Sequence, residues 1–171
     1  ELKNSKDSLK VKRTIMKYNI DQIIEYIAAG ERPKYVFFWG HRKSQEGSTT
    51  KSCFSQWWEQ SFEIEGIEYK SAEHWMMAEK ARLFKDEEIL AEILTVPSPA
   101  EAKKLGRKVR NFEQSTWEAH RYEIVKKGNL HKFAQAPELK EFLLNTAPRI
   151  IVEASPYDRI WGIGLTQDAK G

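Results

Sequence analysis

The sequence contains little cysteine, no long apolar run and almost no excess of charge. Cys53 is the single cysteine among 171 residues and there are four histidines, so an internal disulfide and a cysteine-rich zinc site are both excluded. No stretch approaches the roughly 18 apolar residues of a membrane-spanning helix, and the polar residues 1–10 are unlike a secretory signal. A net charge of +3 is too small for a chain whose whole surface binds nucleic acid. These features favour a cytoplasmic protein that has no membrane partner.

The chain nevertheless has enough apolar material for one folded domain. Hydrophobic residues make up 40% of it, and a domain of this size buries about two thirds of its unfolded surface. Aromatic residues reach 12%, with six tryptophans, which suggests a pocket lined by flat rings. Residues 1–18 are rich in lysine and arginine. We interpret them as a solvated tail, with a weak anion-binding arm as the alternative.

The predicted elements come in the order of a short helix, several strands, a series of helices and one late strand. Isoleucines at helical spacing predict the first helix at residues 20–27. Aromatic and β-branched residues indicate strand-like runs, separated by an exposed loop at 42–52, at residues 35–39, 53–58, 62–64, 67–69 and 150–152. Caps and periodicity predict helices over residues 71–84, from Asp86, from Ser98, over 116–128 and from Pro137. This order indicates an α+β fold, mainly helical, with a small β-sheet built from the N-terminal half and the late strand, and not a doubly wound parallel sheet.

The densest group of reactive side chains lies in the helix predicted for residues 71–84. Glu73 and Lys80 are seven residues apart, which places them on nearly the same helix face, two turns apart, with Met77 between them. A carboxylate there can act as general base for an amine, which must lose a proton before it attacks a carbonyl-like carbon. The alternative is a solvated charge pair on an amphipathic helix. His74 is a candidate ligand or proton shuttle, or else a buried structural histidine.

Three further segments could contribute to a pocket. Residues 161–164 place glycines beside a tryptophan, which lets the backbone approach a ligand while the ring stacks on it; the alternative is a tight turn. Residues 106–110 are basic and could meet a phosphate, or form a solvated face. Residues 38–41 end the first predicted strand and could form the floor of a pocket, or belong to the core. We interpret Cys53 as a packing residue and not as a nucleophile.

Five motifs occur together along the chain. They are FFWGH at 37–41, CFSQWW at 53–58, SAEHWMMAEKARLF at 71–84, EAKKLGRKV at 101–109 and VEASPYDRIWGIGL at 152–165. In this order and at these gaps they resemble the NADAR family, also called YbiA-like. The resemblance covers residues 34–171 and leaves residues 1–33 as a basic tail and short helical extension. Many members have Ser-Asn-Phe where this chain has Ser-Gln-Trp at 55–57, and members continue into a further C-terminal segment that we expect this domain to lack.

The resemblance implies a small α+β N-glycosidase that breaks the C–N bond at the anomeric carbon of a ribose. It implies that Lys80 attacks C1″ through a Schiff-base type intermediate and that Glu73 transfers the proton. The first expectation is therefore a hydrolase that removes ADP-ribose from guanine in nucleic acid. The alternatives are an N-glycosidase of phosphoribosylated intermediates of riboflavin biosynthesis, and a non-catalytic module that binds ADP-ribose or a nucleotide. No metal and no cofactor is implied.

The same resemblance and the chemistry of the side chains suggest which residues contact the substrate. We expect tryptophans to stack on a base or frame the sugar, Arg107 to bind phosphate, and two acidic residues to hold ribose hydroxyls or to fix their loop. The predicted substrate-binding residues are Phe38, Trp39, Gly40, His41, Ser55, His74, Arg107, Glu153, Asp158, Trp161 and Gly162. The expected partners are an ADP-ribose or ribosyl-phosphate ligand and the ADP-ribosylated ends of DNA or RNA.

Overall fold

The computed structural model describes residues 20–41, 44 and 47–169. The chain divides between Lys34 and Tyr35 into two units, beside the domain boundary predicted at 33/34. In the described part of the first unit, α1 (Ile20–Ala28) forms at the predicted isoleucine repeat. The tail predicted at 1–18 and part of the loop predicted at 42–52 lie outside the described residues.

The described part of the second unit contains five α-helices, one 3-10 helix and four short strands. In chain order they are β1 (Tyr35–Phe38), the 3-10 helix (Lys51–Phe54), β2 (Glu59–Ile64), β3 (Ile67–Ser71), α2 (Ala72–Leu83), α3 (Glu87–Thr95), α4 (Pro99–Gly106), α5 (Gln114–Gln135), α6 (Pro137–Leu144) and β4 (Ile150–Glu153). The predicted α+β class, mainly helical and with few strands, is confirmed.

The four strands pair as two separate two-stranded sheets and do not form a single sheet. β2 and β3 are the predicted antiparallel hairpin, in which Ile64 pairs with Ile67 around the turn at Glu65 and Gly66. β4, the late strand, pairs in parallel with β1, from Tyr35 opposite Ile150 to Phe38 opposite Glu153. Because parallel strands end at the same edge, the residues after β1 and the loop after β4 start side by side.

Two core clusters support the second unit. The first core cluster surrounds α2, which is buried over most of its length and packs against α3, α4 and α5. The second core cluster joins the end of β1, the 3-10 helix, α5 and α6, and its buried members are Phe38, Cys53, Phe54, Trp58, Phe133, Ala136 and Leu139. The thiol of Cys53 is fully buried there, in agreement with a packing role.

Two local predictions are wrong. Residues 53–58 are not a strand, because Thr50 caps a 3-10 helix by accepting a hydrogen bond from the Ser52 N–H at 3.3 Å, and a turn follows. The helix predicted to stop at Gly128 continues as α5 to Gln135. Gly128 lies against the indole of Trp75, where an added Cβ would come 2.2 Å from Cδ1, so this glycine serves a close contact between α5 and α2 and not a helix end.

Candidate active site

The first turn of α2 places Glu73 in the interior of the second unit. The side chain of Ser71 caps the helix by accepting a hydrogen bond from the His74 N–H, and the Glu73 N–H is bonded to the carbonyl oxygen of Gln56 at 3.0 Å. The Glu73 side chain is only 1% exposed, and its Oε1 has no hydrogen-bond partner among the described residues. A buried carboxyl oxygen without a partner is costly, so this position is suited to a ligand or a proton.

Burial raises the pKa of Glu73 to about 7, well above its ordinary value of 4.5. The charges of Lys103 and Arg107 and a hydrogen-bonding interaction with the Trp57 side chain oppose this rise, while the charge of Asp158 adds to it. A carboxyl group with a pKa near 7 can give or accept a proton at neutral pH.

The helix α4 brings two cations to the side of Glu73. Lys103 and Arg107, the C-cap residue of α4, are four residues apart and therefore lie on the same side of the helix. The Lys103 ammonium lies 5.5 Å from the centroid of a Trp57 ring. Its charge also opposes the effect of burial on Glu153, whose pKa is raised by burial and by the charge of Asp158. The site thus combines the buried carboxyl of Glu73 with two further carboxyl groups and two cations.

Lys80 lies at the other end of the same face of α2, beside the C-terminal end of α4. Its Nζ donates a hydrogen bond of 2.8 Å to the carbonyl oxygen of Gly106. The ring centroids of Phe112 and Trp117 are 4.1 Å and 5.8 Å from Nζ. Partial burial lowers the pKa of Lys80 below its ordinary value of 10.5, which increases the fraction of neutral amine at neutral pH.

The structure forms no ion pair between Glu73 and Lys80, both of which it describes. The charges that act on Glu73 come from α4 and from the loop after β4, and Lys80 is held by the Gly106 carbonyl. Seven residues of helix separate the two Cα atoms by about 10 Å along the axis. Direct proton transfer from Lys80 to Glu73, as the spacing suggested, is therefore not the arrangement seen here.

The loop after β4 is closed by its own hydrogen bonds beside this cluster. Asp158 Oδ1 accepts hydrogen bonds from the N–H groups of Ile160 and Trp161 at 2.7 and 2.9 Å. The Ile163 N–H donates to the carbonyl of Glu153 at 3.0 Å. An added Cβ at Gly162 would come 2.9 Å from the carbonyl oxygen of Asp158, so only glycine fits between these backbone segments without displacement.

Trp161 lies in this loop and packs against the first core cluster. The guanidinium of Arg121, on α5, lies 5.9 Å from its ring centroid. Four predicted site residues therefore lie in one short segment that its own hydrogen bonds close: Glu153, Asp158, Trp161 and Gly162.

Two other predicted site residues, Trp39 and His41, follow the end of β1, and the ring of each lies beside another aromatic ring. Trp39, just after β1, lies 6.3 Å from the ring of Tyr157, and both rings are exposed. The ring of His41 lies 5.3 Å from the ring of Trp57. Between them, Gly40 adopts a φ of +81°, which favours glycine.

The structure does not bring Phe38 or His74 to the carboxyl cluster. The ring of Phe38 packs against that of Phe54 in the second core cluster, at 5.7 Å. Both ring nitrogens of the buried His74 have protein partners, Nδ1 with Ser71 Oγ at 2.8 Å and Nε2 with the Val96 carbonyl at 3.2 Å. Ser55 is half-buried, and its Oγ accepts a hydrogen bond from the Trp57 N–H at 3.1 Å.

Sequence reasoning missed several residues of the site. Trp57, Lys103, Phe112 and Trp117 were not among the predicted contacts. The four-residue spacing of Lys103 and Arg107 on a capped helix was a usable signal for a shared cationic face. The two rings beside Lys80 come from Phe112 and Trp117, which follow α4 and are far from Lys80 along the chain. No local sequence pattern therefore connects them with Lys80.

Other features of the described chain do not coincide with this cluster. A cleft of about 520 Å³ is lined by Gly47, Ser48, Thr49, Glu138, Glu141, Phe142 and Asn145, none of which is a predicted site residue. Across the described positions, no group of three acidic, histidine or cysteine side chains is arranged to hold a metal ion. In the same part of the chain, no helix combines the length and the apolar character needed to cross a membrane.

The fold agrees with comparisons to known proteins. The sequence profile of the NADAR domain matches residues 37–171, so the chain belongs to the NADAR domain family. Several of its relatives are named N-glycosidases, and this makes the chain a hydrolase of the N-glycosidase class.

Three matches illustrate the similarity. The chain is 47% identical to N-glycosidase R617 of Acanthamoeba polyphaga mimivirus over 141 residues, which are 80% of this chain and 81% of that protein. It is 34% identical to N-glycosidase YbiA of Escherichia coli K12 over 113 residues, 66% of this chain and 67% of that one. The NMR structure of the E. coli protein YbiA is similar with a TM-score of 0.64 and 29% identity, covering 77% of this chain and 73% of that chain.

Proposed function

We propose that this N-glycosidase removes ADP-ribose from guanine bases in nucleic acid by cleaving the C–N bond between the ribose and the base. The observation that carries the proposal is the buried carboxyl of Glu73, whose Oε1 has no partner among the described residues. Lys103 and Arg107 bring to it the positive charges that an anionic ribosyl adduct needs.

Glu73 acts on the leaving base. Its pKa of about 7 keeps a large fraction of the carboxylic acid protonated at neutral pH, so it can donate a proton to the base nitrogen as the C–N bond breaks. After the base has left, the resulting carboxylate stabilises positive charge on the ribose.

Lys80 acts on the sugar. Its neutral amine attacks C1″, so that a bond from Nζ to C1″ forms while the bond from C1″ to the base breaks and its electron pair leaves with the base. Loss of a proton and opening of the ribose ring then give the Schiff base, which water hydrolyses to release ADP-ribose and the free amine. Partial burial against Phe112 and Trp117 favours the neutral amine.

The other side chains hold the substrate between these two groups. Lys103 and Arg107 bind the diphosphate as charge-assisted donors. Glu153 and Asp158 accept hydrogen bonds from ribose hydroxyls, and Trp161 or Trp39 stacks on a ring of the adduct.

Turnover of a defined adduct tests the proposal. A DNA oligonucleotide that carries ADP-ribosyl-guanine is incubated with the protein, and the adduct mass is followed by mass spectrometry. We expect the parent chain to remove ADP-ribose, Lys80→Ala and Glu73→Gln to lose turnover, and Lys126→Ala, at an exposed position of α5, to retain it. Full turnover by a folded Lys80→Ala protein would rule out the role of the lysine.

A small ribosyl phosphate is the second candidate substrate, because two cations beside one carboxyl cluster suit a single phosphate as well as a diphosphate. A parallel assay with phosphoribosylated intermediates of riboflavin biosynthesis separates the two. Turnover of the small substrate alone, with the DNA adduct left intact, would assign the protein to that reaction and overturn the nucleic-acid substrate.

A further inference from the structure

Residues 53–58 comprise the end of the 3-10 helix and the turn that follows it, and this segment, the 53–58 turn, approaches Glu73 at two residues. The carbonyl oxygen of Gln56 accepts the hydrogen bond of the Glu73 N–H at 3.0 Å. The side chain of Trp57 lies beside the Glu73 carboxyl, where hydrogen bonding holds the Glu73 pKa down, and the Lys103 ammonium lies 5.5 Å from the centroid of a Trp57 ring. The position of this turn therefore fixes the Glu73 backbone in the first turn of α2. It also fixes the Trp57 side chain beside the Glu73 carboxyl.

The turn is held from the other side by a buried lysine of α5. Lys132 is 0% exposed, and its Nζ donates hydrogen bonds of 2.7 Å to the carbonyl of Cys53 and 2.8 Å to that of Ser55. It forms no ion pair with a carboxylate in the described chain. Burial lowers the pKa of Lys132 to about 7. Burying an ammonium group that has no carboxylate partner is costly, so its hydrogen bonds to the turn are the compensation that the structure offers.

A second side chain of α5 is hydrogen-bonded to the same turn. Asn129 lies one helical turn before Lys132 on α5 and accepts a hydrogen bond from Gln56 Nε2 at 3.0 Å. The Asn129 side chain is itself fixed, because its Nδ2 donates to the Val125 carbonyl at 3.0 Å. Two positions one turn apart on α5 therefore hold three residues of the turn, Cys53, Ser55 and Gln56.

We propose that Lys132 is a positioning residue of the active site, which orients Trp57 and Gln56 against Glu73 by holding the carbonyls of Cys53 and Ser55. This inference rests on the proposed role of Glu73 in the reaction. Lys132 itself does not contact the substrate. An apolar residue of the same length would fill the space but leave the Cys53 carbonyl without its donor and the Ser55 carbonyl with only the Trp58 N–H, so the turn would lose its fixed position.

The tryptophan indole reports on this link without any turnover. Two-dimensional NMR of ¹⁵N-labelled protein follows the Trp57 indole N–H, assigned with Trp57→Phe, through a pH titration from 5 to 9. In the wild-type protein we expect its shift to follow the titration of Glu73, and we expect that response to vanish in Glu73→Gln. In Lys132→Met we expect the response to fall to less than half, since methionine keeps the length and packing but cannot donate to the turn.

Two controls separate positioning from general loss of stability. Lys126→Met is the same substitution at an exposed position of α5 and leaves the Trp57 titration unchanged. Ile93→Val trims a fully buried side chain of the first core cluster and lowers the melting temperature without changing that titration. Should Lys132→Met not fold, Lys132→Gln, whose shorter amide can still donate to one carbonyl, gives a partial loss of the response.

Turnover provides the second readout. We expect kcat of Lys132→Met to fall by on the order of 10²-fold, with KM changed much less, since a small displacement of a catalytic group has effects of this size. A wild-type Trp57 response in the folded Lys132 variants, or no Trp57 response to Glu73 in the wild type, overturns the inference even if the protein is an active N-glycosidase. If the adduct assay fails, the NMR result still decides whether Lys132 positions Trp57 against Glu73.

Discussion

The Nζ of Lys80 is hydrogen-bonded to the carbonyl oxygen of Gly106, the last residue of α4, at 2.8 Å. Gly106 also lies directly on Met77, the residue between Glu73 and Lys80 on that face of α2. The same helix carries Lys103, whose charge acts on Glu73. The closeness of α4 to α2 therefore sets the positions of both proposed reacting groups.

Replacing Gly106 by alanine should separate these two helices. The added Cβ would lie 2.0 Å from Sδ and 2.8 Å from Cγ of Met77, so Met77 or α4 must move. We expect a loss of about 1–3 kcal/mol in the free energy of unfolding, which is typical of overpacking, and a clear fall in kcat. Urea denaturation and turnover measure the two effects.

The direction of the stability change distinguishes a close contact at Gly106 from an ordinary helical position. In an ordinary helical site a glycine-to-alanine change stabilises a protein by about 1 kcal/mol. Lys104→Ala, at an exposed position of α4, serves as the control with little change in either measurement. A more stable Gly106→Ala protein would contradict the close contact between α4 and α2.

Replacing Glu73 by glutamine should make the protein more stable at pH 8 while it abolishes turnover. The pKa of Glu73 is raised to about 7 in the folded protein, so its favourable contribution is complete below about pH 4.5 and is lost as the pH rises to 7. The difference between these two pKa values corresponds to roughly 3 kcal/mol. Glutamine has a similar size and no charge to bury.

Thermal unfolding of both proteins at pH 4 and pH 8 measures this effect. We expect similar melting temperatures at pH 4 and a higher one for Glu73→Gln at pH 8. Glu92→Gln, an exposed control on α3, should behave like the wild type at both pH values. A melting-temperature difference that does not depend on pH would contradict the burial of a carboxyl group with a raised pKa.

The rise of the rate with pH should level off at about pH 7. The reaction needs the neutral amine of Lys80, whose fraction grows with pH, and the protonated form of Glu73, whose fraction declines above its pKa. The charge of Lys103 holds the pKa of Glu73 down, so in Lys103→Met the profile should level off at a higher pH. Profiles of kcat/KM between pH 5 and 9 measure both; a profile that keeps rising through pH 7 with an unchanged slope would exclude Glu73 as the acid.

Acid should weaken the link between α3 and the segment after α4. Asp86 is buried, accepts the Ile89 N–H as the cap of α3, and accepts hydrogen bonds from the Arg110 backbone and guanidinium. Hydrogen bonding from the Arg110 side chain, with that from its backbone, lowers the pKa of Asp86 to about 2. The stabilisation that follows is present above the ordinary carboxyl pKa and is lost as the pH falls from about 4 to 2.

Asp86→Asn tests this pairing. We expect its melting temperature to lie below that of the wild type at pH 7, and the difference to shrink as the pH approaches 2. Glu88→Gln removes the other, exposed carboxylate paired with Arg110 and should have a smaller effect. An equally large difference between Asp86→Asn and wild type at pH 2 and pH 7 would show that the charge of Asp86 is not what stabilises the fold.

Several parts of the fold could be predicted from short segments alone. The capping box of Ser98 and Glu101 forms as predicted, and so does the hairpin at Glu65 and Gly66. Gly128 shows where such reasoning fails. A glycine in a helical pattern is equally compatible with a helix end and with a close approach of another element, and the indole of Trp75 decided between them.

In the candidate site, too, short segments predict the residues but not their neighbours in space. Glu73 and Lys80 could be singled out because helix periodicity and the family motif both point to them, and periodicity acts within a few residues. The chemical environments of these two side chains could not be predicted from the sequence. The pKa of Glu73 depends on Lys103 and Asp158, and that of Lys80 on burial beside the rings that follow α4.

Local sequence patterns thus determined most of the elements, the fold class and the two residues proposed to react, because caps, turns and periodicity are short-range effects. Only the tertiary structure decided that Glu73 and Lys80 do not pair directly, that α4 supplies the cations, and that Lys132 holds the turn beside Glu73. The physical reason is that burial and electrostatic interaction depend on distance in space, and these neighbours come from elements far apart in the chain.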